Sequence, residues 1–234
     1  MKCWIRKNSQ ALPIFNSTLF QMTKLDPRLE QYILDHTSPE DPVLAELNRE
    51  TWVQTVHPQM LAGHLQGKIL EMISYMIRPK RILEIGTFTG YSSICLAKGL
   101  AADGRLITIE KDDEITGFAE KYISRSGSAD SITLMTGDAR EIIPGLADAF
   151  NLVYMDAEKD EYLDYYELVF PKVTEGGYIL ADNVLWGGKV IQEPENGDHF
   201  TGGILTFNEH IRQDKRVEQV ILPIRDGIML MRKL

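Results

Sequence analysis

Cysteine is nearly missing from this chain, with two in 234 residues, Cys3 and Cys95, and neither sits in a C-x-x-C pair. A disulfide framework is excluded, and a reducing compartment, the cytoplasm, is the expectation. No apolar run approaches the roughly 20 residues that a membrane helix requires, so no membrane partner is expected. Positive charge is also short. Against 34 Asp and Glu there are 25 Lys and Arg, giving a formal net charge of -9, with no basic block to reverse it locally. Such a field repels a phosphate backbone, so no nucleic-acid partner is expected. The histidines (His36, His57, His64, His199, His210) show no metal-ligand spacing. Linkers rich in Pro, Gly or Ser and internal repeats are absent too, and one domain over 1–234 is expected.

At the N-terminus, residues 1–21 read as an extension: basic residues precede a mildly apolar stretch that Pro13, Asn16 and Ser17 interrupt. This is not the pattern of a signal peptide. Helical patterning begins only after Met22, which makes initiation at Met22 an expectation.

Hydrophobic residues make up 44% of the chain and charged residues 25%, the balance of a folded globular protein. Three helical stretches, about 27–36, 41–54 and 61–77, come first. From Lys80 onward, short β-rich runs alternate with amphipathic helical ones. RILEI (81–85), RLITIE (105–110), SITLM (131–135), LVYM (152–155) and YILAD (178–182) are the expected strands. This alternation predicts a doubly wound, Rossmann-like α/β sheet, mostly parallel, with right-handed crossovers. The close of the chain departs from it: VEQVILPI and IMLMRKL flank Arg225-Asp226-Gly227, which reads as the turn of an antiparallel hairpin. The tyrosines Tyr162, Tyr165 and Tyr166 read as helix packing, and Cys95 as core.

Ligands of doubly wound sheets bind at the carboxyl ends of the strands. Those ends carry Glu84-Ile-Gly86, Glu110, Gly137-Asp138, Asp156 and Asp182-Asn183. Any one acid there reads more readily as a helix cap or a turn residue. Five on one rim raise one another's proton affinity unless something cationic neutralises them. Gly86 and Gly90 frame a strand-to-helix turn with G-x-x-x-G spacing, not the G-x-G-x-x-G that receives a pyrophosphate. With Glu84 two residues before it, the turn favours a ligand bearing an amino group and a sulfonium over a diphosphate. Glu110 is placed to accept from ribose hydroxyls. Asp156, Asp182 and Asn183 offer hard oxygens, suited to Mg²⁺ first, with Mn²⁺ or Ca²⁺ as alternatives. Lys159, about one helical turn past Asp156, can point into the same rim or pair with Asp160 or Glu161. Trp186 opens the Gly-rich stretch WGGKVIQEPENGDHFTGG, a candidate lid, and reads equally as an acceptor-stacking ring or a core-edge residue.

Taken together, ILEIGTFTGYSS, the acid of LITIEKD, TGDA, MDAEKDEY, ADNVLWGG and the terminal RDGIML resemble the cation-dependent class I O-methyltransferases, the group of caffeoyl-CoA and catechol O-methyltransferases. The resemblance runs from about residue 60 to the end. It implies that Glu84, Gly86, Thr87 and Ser92, with Met60 and Ala62, hold the methionine part of S-adenosylmethionine. By the same resemblance Glu110 takes the ribose, Asp138 and Ala139 flank the adenine, and Asp156 adjoins the cofactor. Asp156, Asp182 and Asn183 fall on the family's metal ligands, Lys159 on its general base, and Glu158 and Trp186 near its substrate site. Plant enzymes of this type commonly have Asp at the position of Glu158 and Asn at that of Gly187, which leaves free catechols beside hydroxycinnamoyl esters as phenolic acceptors. A homodimer is expected on the same ground. A nucleoside-binding module without catalysis and an NAD-dependent oxidoreductase are the alternatives.

Overall fold

The computed structural model describes residues 26–234. The expectations on the 1–21 extension, Met22 and Cys3 lie outside the described residues. The helices α1 (Pro27–Asp35) and α2 (Pro42–Gln54) both start at Asp-Pro, where Asp26 and Asp41 accept from backbone N–H groups of the first turn and proline occupies the first helical position. A 3₁₀ turn (Pro58–Met60) leads into α3 (Gly63–Ile77).

Seven strands then form one sheet: β1 (Arg81–Ile85), β2 (Arg105–Glu110), β3 (Ile132–Thr136), β4 (Phe150–Met155), β5 (Val173–Ala181), β6 (Val217–Leu222) and β7 (Ile228–Lys233). Their order is β3-β2-β1-β4-β5-β7-β6, parallel except for β7, which runs antiparallel to both neighbours. The helices between them are α4 (Tyr91–Ala97), α5 (Asp113–Ile123), α6 (Ala139–Gly145), α7 (Tyr162–Val169) and α8 (His199–Gln213). The doubly wound expectation and the terminal hairpin are both met.

Alternate strand residues serve opposite faces. Leu83, Val153, Met155 and Ile179 pack among α7 and α8, with Tyr162, Tyr166 and Phe207 filling that side. Ile82, Leu152, Tyr154 and Leu180 pack on the other face under α3, α4 and α5, where Cys95 is core as expected. The one strand misjudged by several residues is β5, which begins at Val173 instead of 178. Its VTEGG opening looks like a turn, and Gly176 does adopt a left-handed φ of 70°. A register shift between Phe150 and Leu152 of β4 absorbs the extra residues and keeps the segment in the sheet.

Candidate active site

Where β1 and β4 part, the chain divides to the two sides of the sheet, and a cleft of about 560 Å³ opens at the strands' carboxyl ends. Its floor begins with Gly86, whose φ is 95°. A Cβ there would lie 2.0 Å from the carbonyl oxygen of Asp156, so only glycine lets the β1 turn sit against the end of β4. Two backbone hydrogen bonds fix the junction: Gly86 N donates to Ile109 O at 3.0 Å, and Asp156 N donates to Ile85 O at 2.8 Å.

Thirteen of the candidate site residues line this cleft: Met60, Ala62, Gly86, Thr87, Ser92, Glu110, Ala139, Asp156, Glu158, Lys159, Asp182, Asn183 and Trp186. Glu110 closes β2 with its carboxylate already oriented, accepting from Phe88 N at 2.7 Å and Asp112 N at 3.0 Å. Two candidates stand apart. Glu84 lies wholly buried beneath the turn, where Ser93 Oγ donates to its Oε2 and Oε1 has no partner. Burial pushes its pKa up to about 7 against the pull of the Ser92, Ser93 and Thr108 hydroxyls. Only Ser92 of that group reaches the cleft. Asp138 is drawn away by the helix it starts, accepting from Arg140 N at 2.9 Å and pairing with the Arg140 guanidinium at 2.7 Å. Those bonds hold its carboxyl well below the usual range.

The far half of the cleft gathers charge. Lys159, buried in the turn before α7, donates to Asp156 Oδ1 at 2.9 Å and to the Tyr162 hydroxyl at 2.8 Å. Burial works to lower its pKa, but the Asp156 carboxylate and Tyr162 outweigh it and hold the ammonium above an ordinary lysine. The alternative partners Asp160 and Glu161 do not engage it. Gly203 of α8 makes this turn possible, since a Cβ there would come within 2.6 Å of Lys159 O and 2.4 Å of Asp160 Cα. Asp182, at the end of β5, is 3% exposed. It accepts from Tyr154 Oη at 2.9 Å, from Asn183 N at 2.8 Å and from Gln66 Nε2. Burial first and Asp156 second push its pKa up to about 6. Asn183 has a left-handed φ of 58°, a conformation asparagine tolerates better than most residues. Among the described residues no group of three His, Cys, Asp or Glu is placed to hold a metal, so a cation here would need the amide oxygen of Asn183 beside the two carboxylates.

Several residues in the cleft or buried behind its wall were not foreseen. Tyr162, read as packing, also binds Lys159 and donates to Asp182 O at 2.9 Å. The hairpin tip is more than a turn: Arg225 and Asp226 line the cleft, and Asp226 accepts from Gly187 N at 2.6 Å. Phe200 faces Trp186 at a centroid distance of 6.1 Å. A charged residue inside a turn motif was the one available signal for Arg225; Tyr162 and Phe200 gave none beyond aromaticity. No described helix is long and apolar enough to cross a membrane.

A family model described as O-methyltransferase matches residues 34–234. A caffeoyl-CoA O-methyltransferase of Eucalyptus gunnii is 32% identical over 219 residues, 88% of this chain and 87% of that protein. A catechol O-methyltransferase of Niastella koreensis is 32% identical over 198 residues, covering 83% of this chain and 89% of its own. Among solved structures, the O-methyltransferase TomG of Streptomyces achromogenes, in complex with S-adenosylmethionine, superimposes with a TM-score of 0.81 at 29% identity over 88% of this chain and 96% of its own. With the sheet order, the strand-end cleft and a match spanning nearly the whole described chain in agreement, this protein belongs to the O-methyltransferase family and is an S-adenosylmethionine-dependent O-methyltransferase.

Proposed function

We propose that the protein methylates a hydroxyl of a catechol-like or hydroxycinnamoyl phenol, with a divalent cation, Mg²⁺ first, held by Asp156, Asp182 and Asn183. The observation that carries this reading is that the β1–β2 wall and the Asp156–Lys159–Asp182 cluster open into one cleft. A methyl donor on the first thus faces a phenol on the second. The donor set is all oxygen, and the burial and the Asp156 charge that together push Asp182 toward protonation are both offset by a nearby positive charge, so the residues present fit a hard ion. When bound, such an ion acidifies a phenol, aligns its oxygen and draws off the negative charge that now holds Lys159 as an ammonium.

The chain itself supplies the rest. Glu110 orients the nucleoside through its ribose, while Ser92, Thr87 and the Met60–Ala62 segment bound the methionine end. Burial favours a neutral Lys159 once Asp156 is engaged, and its Nζ then accepts the phenolic proton. Trp186 and Phe200 flank the acceptor, and Glu158, exposed at the mouth, meets its distal end. The cytoplasm and a homodimer complete the reading; exposed Tyr32, Trp52, Met72, Tyr75 and Met76 on the N-terminal helices supply an apolar face for the dimer. Residues 1–234 are taken as one catalytic unit.

Transfer of a labelled methyl group from S-adenosylmethionine to a panel of catechols and hydroxycinnamoyl esters, with and without EDTA, tests this. Turnover on at least one phenol that EDTA abolishes and Mg²⁺ restores is expected. Undiminished turnover in excess EDTA overturns the metal assignment.

A further inference from the structure

The hairpin tip and α3 are joined by a continuous polar chain that ends on Asp182. Arg225 Nη1 donates to Leu61 O at 3.0 Å, to Ala62 O, and to Gln66 Oε1 at 3.1 Å. Gln66, 1% exposed on α3, donates through Nε2 to Tyr154 Oη at 3.1 Å and to Asp182 Oδ2. Tyr154 in turn donates to the same Asp182 oxygen at 2.9 Å.

The direction of this chain is forced. A guanidinium has only donors, so the amide atom facing Arg225 must be the oxygen, and the amide nitrogen must face Asp182 and Tyr154. With the amide reversed, N–H would oppose N–H at the part-buried Arg225 contact, and a carbonyl would oppose a carboxylate at the buried Asp182. Both amide protons and the amide oxygen are thereby used, and the network is closed. Two donors saturate Asp182 Oδ2. The Asn183 N–H takes one lone pair of Oδ1, and the other remains for the cleft.

We propose that Gln66 is a positioning residue that fixes the Asp182 carboxylate toward the cleft, with its own amide oriented by Arg225. The proposal rests on the reading of Asp182 as a cation ligand. Outer contacts of this kind typically alter metal affinity by about 10- to 100-fold. Gln66 does not line the cleft, so it acts only through Asp182 and Tyr154.

The test is Mn²⁺ affinity, read from the electron paramagnetic resonance of the free ion with S-adenosylhomocysteine present, for the full chain and for Gln66→Met, Arg225→Met and the double variant. Gln66→Met should weaken Mn²⁺ about tenfold or more while the S-adenosylhomocysteine dissociation constant stays within about twofold. Arg225→Met should also weaken Mn²⁺. The double variant should be no worse than Gln66→Met alone, because both losses act through one amide. Unchanged Mn²⁺ affinity in Gln66→Met, or additive losses in the double variant, would overturn the proposal while leaving the metal assignment standing. Should Gln66→Met fail to fold, Arg225→Met decides alone, and wild-type Mn²⁺ affinity in it is the overturning result. Failure of the unaltered protein to bind Mn²⁺ would overturn the metal assignment and this inference with it.

Discussion

The α-carbon of Gly86 and the carbonyl oxygen of Asp156 approach so closely that one added methyl group would sit 2.0 Å from that oxygen. The obstacle is backbone, which cannot swing aside, and the glycine's φ of 95° is itself disfavoured for alanine. Gly86→Ala should cost about 2 to 4 kcal/mol, from the left-handed backbone and the overpacking together. A lowered urea midpoint at constant slope would show it. Because the displaced atom carries Asp156, turnover should fall roughly 100-fold, the scale of a 1 Å misplacement.

Glu84 gives the fold a pH dependence of its own. Its carboxyl rises from 4.5 to about 7 on folding, so between those values the native state holds a proton that the unfolded chain has released. The stability tied to that proton is present below 4.5 and is lost as pH climbs through 7. The loss is on the order of 3 kcal/mol. Denaturant titrations of metal-free protein at pH 5 and pH 8 should show this fall in the parent chain and a flatter profile in Glu84→Gln. Equal slopes in the two would place Glu84 in a better solvated setting than its burial indicates.

The parallel sheet was legible because each β-rich run is short, apolar and followed by a helix start, and those signals are local. β5 was cut the most, since Gly176 and Gly177 look like a turn whereas a shifted register keeps them in the ladder. Site residues were legible for a related reason: a strand end in this topology fixes where a side chain emerges, so Glu110, Asp156 and Asp182 could be placed by counting. Depth was not legible. Glu84 also ends a strand, but its side chain turns under the Gly86 loop into a nest of hydroxyls, and Asp138 is claimed by Arg140 two residues on.

Contacts between distant segments were beyond reach altogether. Gln66 and Asp182 are 116 residues apart, and Arg225 and Gln66 are 159 apart. Nothing in the spacing of either pair announces them. The same holds for Gly203, whose bareness admits the Lys159 turn against α8.

Trp186 and Phe200 stand on one side of the cleft with ring centroids 6.1 Å apart and planes inclined at 58°. An aromatic acceptor sliding between this pair and the catalytic cluster gains stacking worth about 1 kcal/mol per ring. Trp186→Ala should raise the acceptor KM about five- to tenfold on that scale, with kcat lowered less. Steady-state kinetics on the best phenol checks this, and a fall in kcat at constant KM would assign the ring to orientation of the reacting oxygen instead.

Lys159 and Asp156 separate two roles that a single knockout would merge. At neutral pH, without a cation, the 2.9 Å pair holds Lys159 charged, its pKa raised above 10.5. The sign on the lysine side follows: with the carboxylate ionised, that stabilisation is fully present below 10.5 and is lost as pH rises through the higher folded value. An ammonium cannot accept a proton, so the proposed reaction requires that Asp156 be engaged elsewhere. Lys159→Met keeps the apolar stem and removes the proposed base, and should lower kcat roughly 10²- to 10⁴-fold with S-adenosylhomocysteine affinity unchanged. The rising limb of its pH-rate profile should vanish. Asp156→Asn should behave differently, losing the response to Mg²⁺ and EDTA while Lys159, freed of its carboxylate, titrates lower. Measuring both profiles side by side distinguishes proton acceptor from cation ligand, and an unaltered rising limb in Lys159→Met would assign the base to another group in the cleft.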